Sequence, residues 1–264
     1  LQRYLKEAGF QRHVRACNNA RLPGARTPFL ISDQLVGFVP APVRAALVGL
    51  PDITCTPGHV ALDDPASLPA VARHLADSGF FRWRGEAFDV RARPDGPVLA
   101  QIDRGGIPSF GIQAAGVHVN GLVHRPNGLH LWVARRAMDK LLDPGKLDHI
   151  VAGGISAGLG APETLIKEAQ EEAAISVELV ASAVPVATID YAMERDEGLR
   201  RDILYCYDLA LPADFVPRPA DGEVEAFELW PIARVLETVA TTDAFKFNVN
   251  LVLIDLFVRL RLVL

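Results

Sequence analysis

Cysteine is scarce: Cys17, Cys55 and Cys206 are the three in the chain, far apart and in no paired spacing. That argues against a cysteine zinc cage or a disulfide framework and fits a reducing compartment, so a cytoplasmic location is expected. Long apolar runs are missing as well. The most apolar stretch, Leu251 to Leu264, is broken by Asp255, Arg259 and Arg261 and is too short to span a bilayer. It reads as a buried helix, and no membrane partner is expected. No secretory leader pattern opens the sequence, and no internal repeat or low-complexity stretch occurs in it. Excess basic charge is absent: 27 Lys+Arg face 32 Asp+Glu, a net charge of -5, so no nucleic-acid partner is expected. The seven histidines show no ligand spacing.

What is present is enough apolar material for a core. The 264 residues, 50% of them hydrophobic, suffice for one large domain or two ordinary ones. The charge is regional: residues 1–113 carry 13 basic and 10 acidic residues, net +3, and residues 114–264 carry 14 and 22, net -8. The first half reads as an α+β unit. A helical pattern runs from Leu1 to Ala20 with Tyr4, Leu5, Ala8 and Val14 on a rough stripe, followed by strand-like Phe29 to Ile31 and Leu35 to Val39. A helix is predicted from Pro40 to Leu50, an extended segment from Ile53 to Leu62, and a helix from Asp64-Pro65 to about Ser78, with Gly79 as its stop. Ala87 to Arg93 reads as a strand, and Arg104-Gly105-Gly106-Ile107-Pro108 as a linker.

The second half alternates strands with a few helices, an α/β sandwich pattern. Val117, Val119 and Gly121 alternate with polar His118 and Asn120, as on a half-buried strand, and Pro126-Asn127-Gly128 turns the chain into a second strand, Leu129 to Arg135. Strands follow at Ile150 to Ala152, Val184 to Tyr191, Ile203 to Leu209 and Val224 to Leu229. Helices are expected from Pro162 to Ala174, Ile232 to Ala240 and Phe247 to Val263. The last fits packing within the domain or against a second subunit, as in a homodimer.

The helix opened by Pro162 carries the densest chemistry. With Leu165 set at zero and about 100° per residue, Leu165, Ala169, Ala173 and Ile166 form an apolar stripe, while Glu171, Glu168 and Glu172 fall at roughly 240° to 340°. Glu172 borders the buried stripe; Gln170, Glu163 and Lys167 face solvent. Glutamates three and four residues apart repel, and more so when partly desolvated. One exposed Lys167 does not neutralise three carboxylates. A hard divalent cation does, because Mg²⁺ takes oxygen ligands and is shared between carboxylates and substrate phosphates. The preceding Gly153 and Gly154 let backbone approach a bound anion, ahead of a helix start that favours negative charge.

Gly153 through Ile175 resembles the Nudix box, with Gly153 as its first glycine, Lys167-Glu168 where Arg-Glu is usual, and Glu171-Glu172 as its glutamate pair. Three positions depart from the pattern: Leu159 for the first Glu, Lys167 for Arg and Ala174 for Gly. The wider chain is similar to the thiamine-pyrophosphokinase-related Nudix group, which has an extra N-terminal domain. The matching stretches are Gly116 to Gly121, Leu131 to Arg136 with Lys140, Pro144 to Asp148, Val151 to Gly154, Tyr207 to Leu209, Asp221 to Glu225 and Phe245-Lys246.

That resemblance implies a Nudix-type α/β/α sandwich with a mixed sheet over residues 114–264, preceded by a smaller α+β domain over residues 1–113. It implies a small-molecule diphosphate substrate, hydrolysed with Mg²⁺ or Mn²⁺: thiamine diphosphate or its oxidised analogues, to the monophosphate plus phosphate. Alternatives are a pyrophosphatase for nucleotides or nucleoside-diphosphate sugars, and a weakly catalytic sensor of a diphosphate metabolite. Glu168, Glu171 and Glu172 are the expected metal ligands. Glu168, Glu171 and Glu225 are the candidate bases, Glu225 because it resembles the extra glutamate other Nudix enzymes supply from outside the box. Strand alternation places Glu223 on the same face as Glu225. Gly153, Gly154, Arg135, Arg136, Lys140 and Glu223 are the candidate substrate contacts. Of the two adjacent arginines at most one points into the cleft, and the turn before Leu147 brings Lys146 or Asp148 near it.

Overall fold

The computed structural model describes residues 8–220 and 222–263. The expected N-terminal helix appears as α1 (Ala8–Cys17); Tyr4, Leu5 and Asp221 lie outside the described residues. After it, β1 (Thr27–Ile31) and β2 (Gln34–Val39) form a hairpin, and α2 (Ala41–Leu47) ends before Gly49, which takes φ 83. The segment expected to be extended from Ile53 to Leu62 is instead two antiparallel strands, β3 (Ile53–Cys55) and β4 (Val60–Leu62). Thr56 reverses the chain between them, its hydroxyl accepting from the N–H of His59 at 3.0 Å. Asp64 accepts from Ala66 N–H at 3.0 Å and opens a 3-10 turn that runs into α3 (Leu68–Asp77).

These strands make a sheet of order β2-β1-β4-β3, while β5 (Ala87–Val90) and β6 (Ala100–Asp103) form a separate ribbon. Phe29, Ile31, Leu47, Leu62, Leu75 and Phe110 fill the core of this unit. The expected linker at Arg104–Pro108 is not a free tether. A Cβ on Gly105 would lie 2.1 Å from the Arg82 carbonyl oxygen, and Ile107 begins a short buried helix, α4 (Ile107–Phe110). Glycine here serves close backbone approach rather than flexibility.

The second sheet is organised around β7 (Gln113–Arg125). One edge pairs in parallel with β12 (Gly198–Ala210) from Gln113↔Arg201 to Leu122↔Ala210. The other edge is divided. Its first part, Gly116 to Val119, pairs with β10 (Val151–Gly154), and its last part, Leu122 to Arg125, with β8 (Gly128–Arg136). The sheet therefore forks between β8 and β10. β9 (Leu147–His149) pairs with β8 inside the fork, and β11 (Val184–Arg195) and β13 (Val224–Pro231) complete the sheet at its two edges.

Helices cover both faces. Val117 and Val119 pack with Leu165, Ala169 and Ala173 of α5 (Ala161–Ala173) and with Val180 of α6 (Val177–Val180). The opposite face carries His118 and Asn120, which the alternation assigns to solvent; both are buried, because α8 (Val249–Arg259) lies over them. α8 is apolar almost all round for a reason: the sheet lies beneath it and α1 and α7 (Ile232–Thr241) pack against it. Its charges are matched as well, Arg259 bonding Asp208 at 2.5 and 3.0 Å and Asp255 at 2.8 Å. The helix packs within its own chain.

α1 packs on the second half of the chain. Phe10, Val14 and Cys17 belong to the core of the second half, with the Phe10 ring 6.1 Å from that of Phe257. Arg12 donates to the carbonyls of Ala240 (2.7 Å), Val239 (3.2 Å) and Thr242 (2.5 Å), the acceptors that α7 leaves unpaired at its C-terminal end. Arg12→Ala is expected to destabilise the fold by about 2 kcal/mol, the scale of charge-assisted hydrogen bonds, as a lower urea midpoint with the denaturant slope unchanged.

Candidate active site

The carboxylates meet at the fork. Glu172 is buried on α5, and its Oε2 accepts from the N–H of Ala152 at 2.8 Å, tethering the helix to the outer edge of β10. Gly153 lets Glu168 follow. A Cβ at Gly153 would fall 2.3 to 2.5 Å from the Glu168 carboxyl group, so any other residue there would push that side chain away. Gly154 is covered from the other side, where a Cβ would meet the Phe88 ring at 2.7 Å. Both glycines were expected to face a bound anion; protein side chains occupy the space instead.

Between β8, β9, β10 and α5 a void of about 10 Å³ is lined by Ala134, Arg136, Asp148, His149, Ala152, Glu172, Glu223 and Val224. That is about the room one water or one small cation needs. Burial pushes the carboxyl of Glu172 well above its usual range against the Ala152 hydrogen bond, with Asp148, Glu168 and Glu223 adding to the rise. Burial also raises Glu168, opposed by Lys167. Carboxylates that repel one another, one of them fully buried, around a void of this size suit a hard divalent cation. Glu172 and Glu223 line the void and Glu168 lies against the neighbouring Gly153, so these three are the residues able to hold it.

Glu171 stands apart, half exposed and 2.7 Å from Lys167 Nζ, which also contacts Glu168 at 3.0 Å. Glu225 is a correction. The β8–β13 pairing shifts between Val224 and Ala226, and this bulge breaks the alternation that would put Glu223 and Glu225 on one face. Both are exposed, but Glu223 lines the void and pairs with Lys140, whereas Glu225 does neither and forms no ion pair among the described residues. Burial pushes Glu223 up, but its ion pair with Lys140, and then Arg104 and Arg136, hold it below the usual carboxylate range. Lys140 thus reaches the site through Glu223.

The two arginines of β8 face opposite ways. Arg135 turns to the Gly145 carbonyl at 3.2 Å, and Arg136 points into the fork. Its guanidinium is held by Asp148 at 2.8 Å and by the carbonyls of Leu142 and Asp143 at 2.9 and 3.1 Å, so it shapes the site more than it offers a free fork to phosphate. Of the two residues expected near the cleft, Asp148 is the one that arrives; Lys146 turns to the Asp243 carbonyl. Asp148 lies between Arg136 and Lys246 Nζ (3.6 Å). Burial alone would raise its carboxyl, but these two cations carry it well below the usual range.

His118, His149, Asn248 and Lys246 form a buried layer that the polar-face reading of β7 misses. Burial lowers His149 to about 4 and His118 well below the ordinary value, so both rings are neutral and share an Nδ1···Nδ1 contact of 3.0 Å. His118, Asp148 and His149 offer ligand atoms within 4.8 Å of one another. Arg136 and Lys246 already satisfy Asp148, which makes the carboxylate void the better cation site.

The N-terminal unit reaches the box directly. Ala157 N–H donates to the Ala87 carbonyl at 2.8 Å, Ser156 Oγ to Glu86 at 3.1 Å, and Gly158 N–H to Asp89 at 3.2 Å. Leu159, in place of the box's first Glu, lines a cleft of about 370 Å³ with Phe88, Ile155, Ile203 and Tyr205. Ala174, in place of its last Gly, caps α5 in the left-handed region at φ 52.

The chain matches the NUDIX domain family over residues 115–250 and a domain of unknown function, DUF4743, over residues 9–114. It belongs to the Nudix family and is a hydrolase acting on diphosphate bonds. Among its relatives in Arabidopsis thaliana are Nudix hydrolase 20, chloroplastic (36% identical over 95% of this chain and 72% of the relative) and Nudix hydrolase 24, chloroplastic (37%, with the same coverage). A crystal structure from Deinococcus radiodurans is 22% identical, covers 64% of this chain and 97% of its own, and superposes with a TM-score of 0.49. Nudix enzymes generally use a divalent metal, in keeping with the donor set here.

Glu172→Gln keeps an acceptor for Ala152 N–H and deletes the charge. The folded carboxyl titrates above its ordinary value of 4.5, so its stabilising contribution is present at acid pH and lost as pH rises from there through the folded value. In chelator, E172Q should therefore gain stability on the unsubstituted protein as pH rises above the ordinary carboxylate range, read by urea titration. Divalent cation should stabilise the unsubstituted protein, leave E172Q unmoved and fail to support its turnover.

Ala174→Gly restores a residue suited to φ 52 and should raise stability by about 1 kcal/mol, seen as a higher thermal midpoint.

Proposed function

We propose that this chain is a Mg²⁺-dependent hydrolase of thiamine diphosphate or its oxidised oxo and oxy analogues, releasing the monophosphate and phosphate. The observation that carries the chemistry is a cation-sized void lined by Glu172 and Glu223, with Glu168 close enough to raise the Glu172 carboxyl, beside Lys140, Arg136 and Lys246. The substrate class is supported by the likeness of the matched stretches on both sides of the box to the thiamine-pyrophosphokinase-related group.

Bound Mg²⁺ supplies neutralisation of the diphosphate and a more acidic water. The chain's own residues do the rest. A water oxygen bonds to phosphorus as the bridging P–O bond breaks, the monophosphate leaves, and the water's proton passes to a carboxylate. Glu168 and Glu223 are the candidates: Glu223 lines the void, Glu168 lies against Gly153, and neither is as deeply buried as Glu172. A cytoplasmic setting belongs to the same proposal, supported by three free cysteines of which Cys17 and Cys206 are buried.

The test is a Mg²⁺-dependent screen of thiamine diphosphate, its oxidised analogues, ADP-ribose and nucleoside diphosphates, with product identification. Thiamine-class substrates should give monophosphate and phosphate with kcat/KM about tenfold or more above the others, a margin of about 1.4 kcal/mol. Preference for a nucleotide or a nucleoside-diphosphate sugar would move the substrate assignment to that class.

A further inference from the structure

We propose that the N-terminal unit completes the substrate site, with Arg104 as a diphosphate-binding residue contributed from outside the Nudix domain. The inference rests on the reading above, that a diphosphate is hydrolysed at the Glu168, Glu172 and Glu223 cluster.

The geometry begins at Asp103, a buried carboxylate at the end of β6. It accepts from the backbone N–H groups of Arg84 (3.0 Å), Gly85 (2.7 Å), Glu86 (3.2 Å) and Gly105 (2.8 Å). One side chain thereby fixes two turns, and each turn projects an arginine, Arg84 and Arg104. The Gly105 backbone lies against Arg82, and no side chain fits between them. The knot is joined to the Nudix box by the hydrogen bonds from residues 156–158 to β5 and its neighbour Glu86, so the placement of Arg104 relative to Gly154 is set by the fold.

Arg104 lies over the Phe88 ring at 5.6 Å, and its Cζ is 3.8 Å from the point where a Cβ on Gly154 would sit. One side of its guanidinium is held by Glu86 at 2.8 Å; the side chain is otherwise 45% exposed, leaving donors for a ligand. Glu223 and Lys246, on two sides of the cluster, both feel its charge. Arg84 adds a second cation: among the described residues its guanidinium has no ion pair, and burial followed by repulsion from Arg104 and Arg200 lowers its pKa. Two cations beside the carboxylate cluster, Arg84 with no ion pair among the described residues and Arg104 with donors left beyond its pair with Glu86, fit a ligand with several negative oxygens. A diphosphate has that chemistry.

The full chain with Arg104→Ala, and with Arg104→Gln to keep the bulk over Phe88, tests this. Arg73→Ala on α3 is the charge control. Calorimetry with methylenediphosphonate and Mg²⁺ should show about tenfold weaker binding in both Arg104 variants, with KM for the diphosphate substrate raised to match, kcat within about threefold and thermal midpoints unchanged. Arg104→Lys should recover part of the loss, since charge remains and the fork does not. Unchanged binding and KM in folded Arg104 variants, beside a fully active unsubstituted protein, would overturn this inference and leave the diphosphatase reading standing. An unsubstituted protein that neither binds methylenediphosphonate nor turns over any diphosphate would remove both.

Discussion

β7 shares one edge between two partners, and the gap that opens between β8 and β10 takes in only the short β9, paired with β8. Side chains fill what is left, most of them buried in a sheet covered on both faces. The residues found there are polar and charged: Glu172 reaching the Ala152 amide, Arg136 paired with Asp148, and the two histidines in contact. Most of their polar atoms are satisfied by one another, so the site is an interlocked set rather than a row of independent ligands, with His149 Nε2 the buried atom left without a partner. Glu223 pairs with Lys140 and Glu168 with Lys167, while the buried Glu172 has no ion pair among the described residues; that unbalanced carboxylate at a small void is what a metal enzyme requires before its metal arrives.

The helix positions on the wheel transfer to the structure because an α-helix has a single period and α5 obeys it: Leu165, Ala169, Ala173 and Glu172 are buried, while Gln170, Glu163 and Lys167 are exposed. The strands were less legible. Alternation at His118 and Asn120 implies a wet face, but whether a face is wet depends on a helix placed 130 residues later in the chain, through the contact of His118 with Asn248. Glu225 fails for a local reason, a bulge that no residue pattern announces. Arg104 was visible only as part of a glycine-rich turn, and its place beside Gly154 exists only once the two units are packed together.

The regional charges also gain a physical account. The acidic half holds the carboxylates, and the basic half presents Arg84 and Arg104 to them across the contact between the units. Electrostatic asymmetry that reads in sequence as two unlike domains becomes, in three dimensions, two walls of one site. The departures of the box fit the same picture. Where Leu159 stands, an apolar wall faces Phe88 across the cleft, and the loop that carries it is held by hydrogen bonds to β5.

α1 packs on α7 and α8, whereas residues 27–103 form their own core before the chain returns to enter β7. The intervening unit is therefore an insertion with two anchors in the same body, not a bead on a string. A single linker lets a module swing; two attachment points, together with the hydrogen bonds from residues 156–158 and the Arg26–Glu194 ion pair, brace the insertion against the body that carries the box.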